Sequence, residues 1–260
     1  NMTKVANQPC NLLIARQLLN IAARPMDCIV DVTNYLMHDW GQPTHAYDAD
    51  SIVDGQVVVR MAREGETMTL LGDLEITLTK HDTLTADAKR PLCLAGVKGG
   101  ADSGVTAATK NVFFEAATWD AGIIRRSAQR HKMRTDASAR YEKTLDPEQT
   151  VQACQRFTAL LAQVGIAHKQ ASEIMQIGDP VVPLVISVEH SFLEARIGMV
   201  LDPVVVTNLL THLEFGVQFD GTQYTVTVPS FRSSKDVSIK EDILEEVART
   251  FGFDNIDLVL

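Results

Sequence analysis

CIVDVTNYLMHDWGQPTHAYD, residues 28–48, is the stretch on which the reading of this chain turns. Cys28, Ile29, Val30 and Val32 form a β-rich apolar run, bounded by Pro25 and broken at Thr33-Asn34, so a short strand is expected here. Gly41 and Pro43 then signal a turn that delivers His45. A strand end followed by a loop would aim Thr33, Asn34 and His45 at one cavity. A second stretch, residues 111–146, answers it: NVFFEAATWDAGIIRRSAQRHKMRTDASARYEKTLD. Its Glu115 directly follows an apolar run that reads as a strand, and burying a carboxylate there is costly without a partner. Farther on, Thr135-Asp136-Ala137-Ser138 punctuates a basic helix.

Outward from these segments, 260 residues suit two domains better than one. No apolar run approaches the roughly 20 residues of a bilayer-spanning helix, and the opening NMTKVANQPC lacks the apolar core of a signal peptide. Four scattered cysteines with no CxxC pair read as reduced thiols of a cytoplasmic protein. The net charge of −9 argues against non-specific nucleic-acid binding by the chain as a whole. Charge is nevertheless unevenly placed, since residues 121–143 carry seven Lys/Arg against Asp136 and Glu142. That local +5 is either a solvated helix face or a contact for a polyanion.

In order, residues 8–23 predict a helix with Leu12, Leu13, Ile14, Ala15, Leu18 and Leu19 on a broad apolar face, stopped before Pro25. Short strands are expected at 56–62, 67–71, 74–79, 83–86 and 89–95, then a glycine-rich loop AGVKGGADSG and a strand at 111–117. Asp120 is placed to cap a basic helix over 121–132, and Asp146-Pro147 to open a helix that Gly165 ends. Strands at 173–177 and 181–188 would close a first domain, 1–188. The second, 189–260, reads as short helices around one hairpin, with Asp202-Pro203 as a helix start and Asp220-Gly221 as the hairpin turn. Residues 237–251 give its clearest helical periodicity.

Taken singly, the polar residues have ordinary readings. Thr33 and Asn34 form turns by default, His45 is one loop histidine, and Gly96, Gly99 and Gly100 suit a tight loop. That loop is neither a Walker loop nor a dinucleotide fingerprint. Ser138 lies in no GxSxG elbow, and no zinc-ligand spacing is visible, so a metal-free site is the expectation.

Four stretches join these pieces: RPMDCIVDVTNYLMHDWGQPTHAYD, AGVKGG, FFEAATWDAGIIRRSAQRHKMRTDASARYEKTLDP and, near the end, EDILEEVARTFGFD. Over residues 8–180 the chain resembles the editing domain of the β subunit of bacterial-type phenylalanyl-tRNA synthetases. Over 189–260, through PSFRSSKD and EDILEEVARTFGFDNI, it resembles the small helical, winged-helix-like domain that follows it. The resemblance implies an α+β chain: a β-rich layered editing domain with flanking helices, then a mainly helical winged-helix-like domain. It implies an editing pocket built from Thr33, Asn34, His45, Gly96, Gly99, Glu115, Thr135 and Ala137, with His45, Thr33 and Asn34 nearest the hydrolysed ester. Lys98 stands in the pocket loop where the family pattern has an apolar residue.

The implied activity is hydrolysis of misacylated Tyr-tRNA(Phe). A synthetic pocket shaped for phenylalanine rejects an added hydroxyl only about 10²-fold, and a second site that accepts the phenolic O–H at Glu115 removes the error. The implied partners are tRNA(Phe), the tyrosyl ester and the catalytic α subunit, in a heterotetramer of two α and two β. No cofactor is expected in this segment, ATP and Mg being used elsewhere in such enzymes. The reading from another class is a non-catalytic nucleic-acid-binding or scaffold module. Against it, residues 189–260 hold five Lys/Arg and twelve Asp/Glu, the wrong sign for phosphate.

Overall fold

The computed structural model describes residues 1–256. In the first unit, Asn1–Gly178, the strands are β1 (Met2–Thr3), β2 (Thr44–Asp48), β3 (Val58–Met61), β4 (Thr67–Leu70), β5 (Leu74–Thr77), β6 (Thr83–Ala86), β7 (Pro91–Leu94), β8 (Lys98–Gly99), β9 (Val112–Ala116) and β10 (Lys169–Gln170). Its helices are α1 (Leu12–Asn20), α2 (Cys28–Trp40), α3 (Ala121–Arg130), α4 (Asp136–Tyr141) and α5 (Gln149–Gln163). One sheet runs β10-β1-β9-β2 and another β3-β6-β7-β8, with β4-β5 as a separate hairpin; all these pairings are antiparallel. This mixed α/β architecture with several antiparallel sheets agrees, in broad class, with the α+β chain that the resemblance implied.

The deciding stretch is a helix where a strand was expected. The Asp27 side chain accepts the N–H groups of Ile29 and Val30, capping a helix that Gly41 ends at φ 82° with its N–H on the Met37 carbonyl. Cys28, Val32 and Leu36 recur at a spacing of four, and this stripe is buried against Ile14 and Leu18 of α1 and Phe157 and Leu161 of α5. The cap and the helical stripe outweigh the β-propensity of Ile29, Val30 and Val32. Around it, α1 buries only Ile14 and Leu18 of its expected face, leaving Leu12 87% exposed. Helix α5 starts later than expected: Asp146 accepts the N–H of Glu148 in a turn ahead of it, and Glu148 caps without a side-chain bond.

The second unit, Asp179–Leu260, contains β11 (Leu184–Glu189), α6 (His190–Ile197), α7 (Pro203–His212), β12 (Gly216–Phe219), β13 (Gln223–Val228), α8 (Ser230–Ser233) and α9 (Lys240–Phe251). The expected boundary after residue 188 is corrected here. Strand β11 pairs with β13 from Leu184↔Val228 to Glu189↔Gln223, so it belongs to the second unit's sheet, β11-β13-β12. The strand expected at 173–177 does not form; the segment finds no pairing partner, and Met175 and Ile177 are exposed. Asp202 does cap α7 ahead of Pro203, and Asp220 takes the Thr222 and Gln223 N–H groups in the β12–β13 turn. Val226, Leu210 and Val247 meet in this unit's own core.

One buried carboxylate ties helix to sheet in the first unit. Asp82, just before β6, accepts Ser127 Oγ at 2.7 Å and Arg130 through Oδ1. Its Oδ2 accepts the Thr79 N–H at 2.9 Å and lies 3.0 Å from His131 Nε2. Burial alone would raise its pKa, but these bonds, Ser127's first, hold it below the usual carboxylate value. Asp82→Ala should cost about 3 kcal/mol in urea unfolding, since it strands Arg130 and Ser127 beside a cavity. The wild-type increment should be intact above about pH 4 and disappear as pH falls through the lowered native pKa, the unfolded chain binding its proton first. An acid-unfolding curve unchanged by the substitution would contradict this.

Candidate functional site

The site is built on the pairing of β2 with β9, in which His45 lies directly opposite Glu115 and Tyr47 opposite Phe113. Alternation sends Ala46 and Phe114 to the other face, where Phe114 stacks on Phe157 of α5 at 3.9 Å. His45, Tyr47 and Glu115 therefore share the face turned to β6, β7 and β8. There the Glu115 Oε2 accepts Tyr47 Oη at 2.9 Å and Thr85 Oγ1 at 3.2 Å. Oε1 accepts no hydrogen bond among the described residues. The His45 ring stands edge-on to Tyr47 with centroids 4.4 Å apart.

Burial governs the charges. Desolvation raises the Glu115 pKa despite the Tyr47 and Thr85 bonds, and it pushes His45 down to about 4. The Tyr47 phenol is held well above its usual value, first by burial and then by the neighbouring Glu115. At neutral pH the His45 imidazole is uncharged, and its Nε2 is buried with no partner. Gln42 Oε1 and Thr44 Oγ1 are likewise buried and unpartnered. Three such atoms within four residues are costly, about 1–3 kcal/mol each, unless something in the functional state bonds to them.

The glycine loop closes over this face. A Cβ on Gly99 would lie 2.5 Å from His45 Cε1, so only glycine lets the backbone reach the ring. Gly96 sits at φ +66°, and a Cβ there would meet Ile124 and Trp119 at 2.9 Å. Thr135 caps α4 in a reciprocal pair with Ser138, and its hydroxyl donates to the Val97 carbonyl at 2.8 Å. Its side chain is thus spent on holding α4 to the loop. Ala137, half-buried on α4, packs against the core cluster that includes Val97, Ile124 and Tyr141. Tyr141 completes the clamp by donating to the Pro43 carbonyl at 2.9 Å.

Thr33 and Asn34 arrive differently from expected, because they lie on α2 and not at a strand end. Thr33 is buried and donates its hydroxyl to the Val30 carbonyl of its own helix. Asn34 is half-buried one turn before His38, whose Nδ1 meets Arg140 of α4 at 3.2 Å, so its face turns toward α4. Among the described residues no hydrogen bond joins Thr33 or Asn34 to His45 or Glu115. Sequence reasoning missed Tyr47, Thr85 and Gln42. Tyr47 was open to discovery, standing two residues from His45 and hence on the same strand face; Thr85 carries no local signal. Separately, a surface cleft on α3, on the turn after it and beyond α4 is lined by Arg125, Gln129, Lys132, Arg134, Lys143 and Glu142, the last paired with Arg134.

The family profile described as the B3/4 domain matches residues 1–165. The chain belongs to the B3/4 domain family. The profile of the tRNA synthetase B5 domain matches residues 186–253, beyond the B3/4 domain. Among curated proteins, the phenylalanine–tRNA ligase beta subunit of Latilactobacillus sakei is 37% identical over 261 residues, covering 100% of this chain and 32% of that protein. The subunit of the same name from Geobacillus kaustophilus is 34% identical, covering 97% of this chain and 31% of its own length. The chain thus spans about a third of the length of the curated relatives it matches. The crystal structure of an N-terminal fragment of the phenylalanyl-tRNA synthetase beta-subunit from Pyrococcus horikoshii aligns with 97% of the chain at TM-score 0.45 and 18% identity. The two curated relatives carry the name of the subunit that the motifs resemble.

Within the B3/4 domain, the His45 ring should stay neutral far below the ordinary histidine range. Its ring resonances, followed by NMR, should shift only as pH approaches about 4. Because the unfolded chain protonates near 6.5, stability should be full above that value and fall as pH drops toward 4. A His45 titration midpoint near 6.5 in the folded protein would contradict the burial argument.

Proposed function

We propose that this chain is the editing part of a phenylalanine–tRNA ligase β subunit and hydrolyses the ester of Tyr-tRNA(Phe). The observation that carries the proposal is the half-buried Glu115–His45 pair on one strand face, with His45 Nε2 buried and unpartnered. Glu115 Oε2 already accepts one phenolic O–H, that of Tyr47, and Oε1 is left for a second. A tyrosyl hydroxyl at Oε1 gains a hydrogen bond to a carboxylate acceptor, and phenylalanine, with no hydroxyl, does not. This selects for the wrong product and spares the right one.

Hydrolysis of an aminoacyl ester needs a water held against the carbonyl carbon and donors for the oxyanion that forms as it adds. The tetrahedral intermediate then expels the ribose oxygen, which takes a proton. A histidine with a pKa of about 4 is a weak base at neutral pH. His45 is therefore assigned to positioning the water or the ester through Nε2, with Asn34 as the helper that the resemblance implies. The chemistry proposed requires no bound metal, and ATP and Mg belong to amino-acid activation elsewhere in such a ligase. The basic cleft of Arg125, Lys132 and Lys143 supports contact with the tRNA backbone. The same reading includes tRNA(Phe) and a catalytic α subunit as partners, an assembly of two α and two β, and a cytoplasmic setting.

Two substitutions test it in a reconstituted ligase. Glu115→Gln keeps the shape and an acceptor oxygen but removes the charge. It should slow Tyr-tRNA(Phe) deacylation about 10- to 100-fold and narrow the Tyr/Phe ratio; undiminished discrimination would overturn the assignment. Ala137→Trp puts an indole beside the loop and should cut deacylation on the order of a hundredfold while phenylalanine activation and circular dichroism hold. Normal clearance of Tyr-tRNA(Phe) by that variant would show that Ala137 does not face the substrate.

A further inference from the structure

We propose that Cys10 and Cys28 form a reversible disulfide, a redox modification site outside the pocket. Their sulfurs lie 3.3 Å apart, with the Cys28 thiol donating to the Cys10 sulfur. The contact is held by the backbone: the Cys28 N–H donates to the Gln8 carbonyl at 2.8 Å, pinning the segment ahead of α1 against the first turn of α2. Closing to a bond length near 2.05 Å requires the sulfurs to approach by about 1.3 Å, within the reach of side-chain rotation.

The two thiols have different environments. Cys10 is half-buried and Cys28 buried. The Cys28 hydrogen bond lowers the Cys10 pKa against the opposing effect of burial, while Cys28 itself is raised. Cys10 is accordingly the attacking thiolate and Cys28 the resolving thiol. With a peroxide as oxidant, Cys10 sulfur takes one peroxide oxygen to become a sulfenic acid, and the other oxygen leaves as water. Cys28 sulfur then displaces the sulfenic oxygen, which leaves as a second water with the Cys28 proton. Two thiols and one peroxide become one disulfide and two waters, sulfur losing two electrons. A dithiol reductant reverses the step by exchange. In a reducing compartment such a bond is transient, which is how a sensing cysteine pair behaves.

The remaining cysteines serve as internal references. Cys93 is buried with its thiol directed at the Leu94 and Lys98 carbonyls, and Cys154 has no sulfur neighbour among the described residues. The folded chain is treated with hydrogen peroxide at neutral pH, quenched by alkylation, digested and analysed by mass spectrometry. The expected product is a cross-linked peptide pair containing Cys10 and Cys28, lost on dithiothreitol treatment. It should form on the order of tenfold faster than any modification of Cys93. In Cys28→Ser, Cys10 should instead be trapped as a dimedone adduct. Should that variant fail to fold, the wild-type cross-link decides alone. Cys10 oxidised to sulfinic acid without cross-linking, or cross-links distributed over all four cysteines in the folded protein, would overturn the proposal.

Discussion

The register of β2 against β9 places His45 across from Glu115, and because side chains alternate along a strand, a slip of one residue would send both to the opposite face. Two packing constraints prevent that slip. Phe114 and Ala46 must meet α2 and α5 on one side, while Tyr47 and Phe113 must meet Leu92 and Cys93 on the other. Apolar layers on both faces thus determine where the two titratable groups stand. The Tyr47–Glu115 hydrogen bond follows from the same register.

Burial then sets the chemistry. It drives the Glu115 pKa up and the His45 pKa down, each toward its neutral form, with no ion pair between them. The site thus depends less on opposed charges than on hydrogen-bonding atoms that gain from a fitting ligand. The editing function proposed above uses the site to read one hydroxyl and hold one water, not to move protons at neutral pH.

The glycine loop and α4 supply rigidity at close quarters. Thr135 and Tyr141 attach α4 to Val97 and Pro43, just ahead of β8 and β2, while Asp82 attaches the end of α3 to the start of the interior strand β6. None of these three polar anchors contacts Glu115 or His45 through a hydrogen bond, yet together they fix the walls around them. Gly96 and Gly99 are needed because the walls come within van der Waals contact of the backbone.

Much of this organisation is written locally. Asp120, Asp202 and Asp220 act where caps and turns were expected, since their side chains bond to amides two or three residues away. The short antiparallel strands and Glu115 near a strand end were equally legible, and the motifs carried the family. Other features depended on partners distant in sequence. Residues 28–32 have strand-forming side chains, but Asp27 caps them and α1 and α5 cover a helical stripe, so they coil. Strand β11 lies nearest the first unit in sequence but finds β13 to pair with, moving the boundary; residues 173–177 find no partner and stay irregular. Propensity, caps and turns are local and were determined by the sequence itself. Pairing, register and the burial that shifts His45 and Glu115 are sums over contacts between distant segments, and only the tertiary structure decided them.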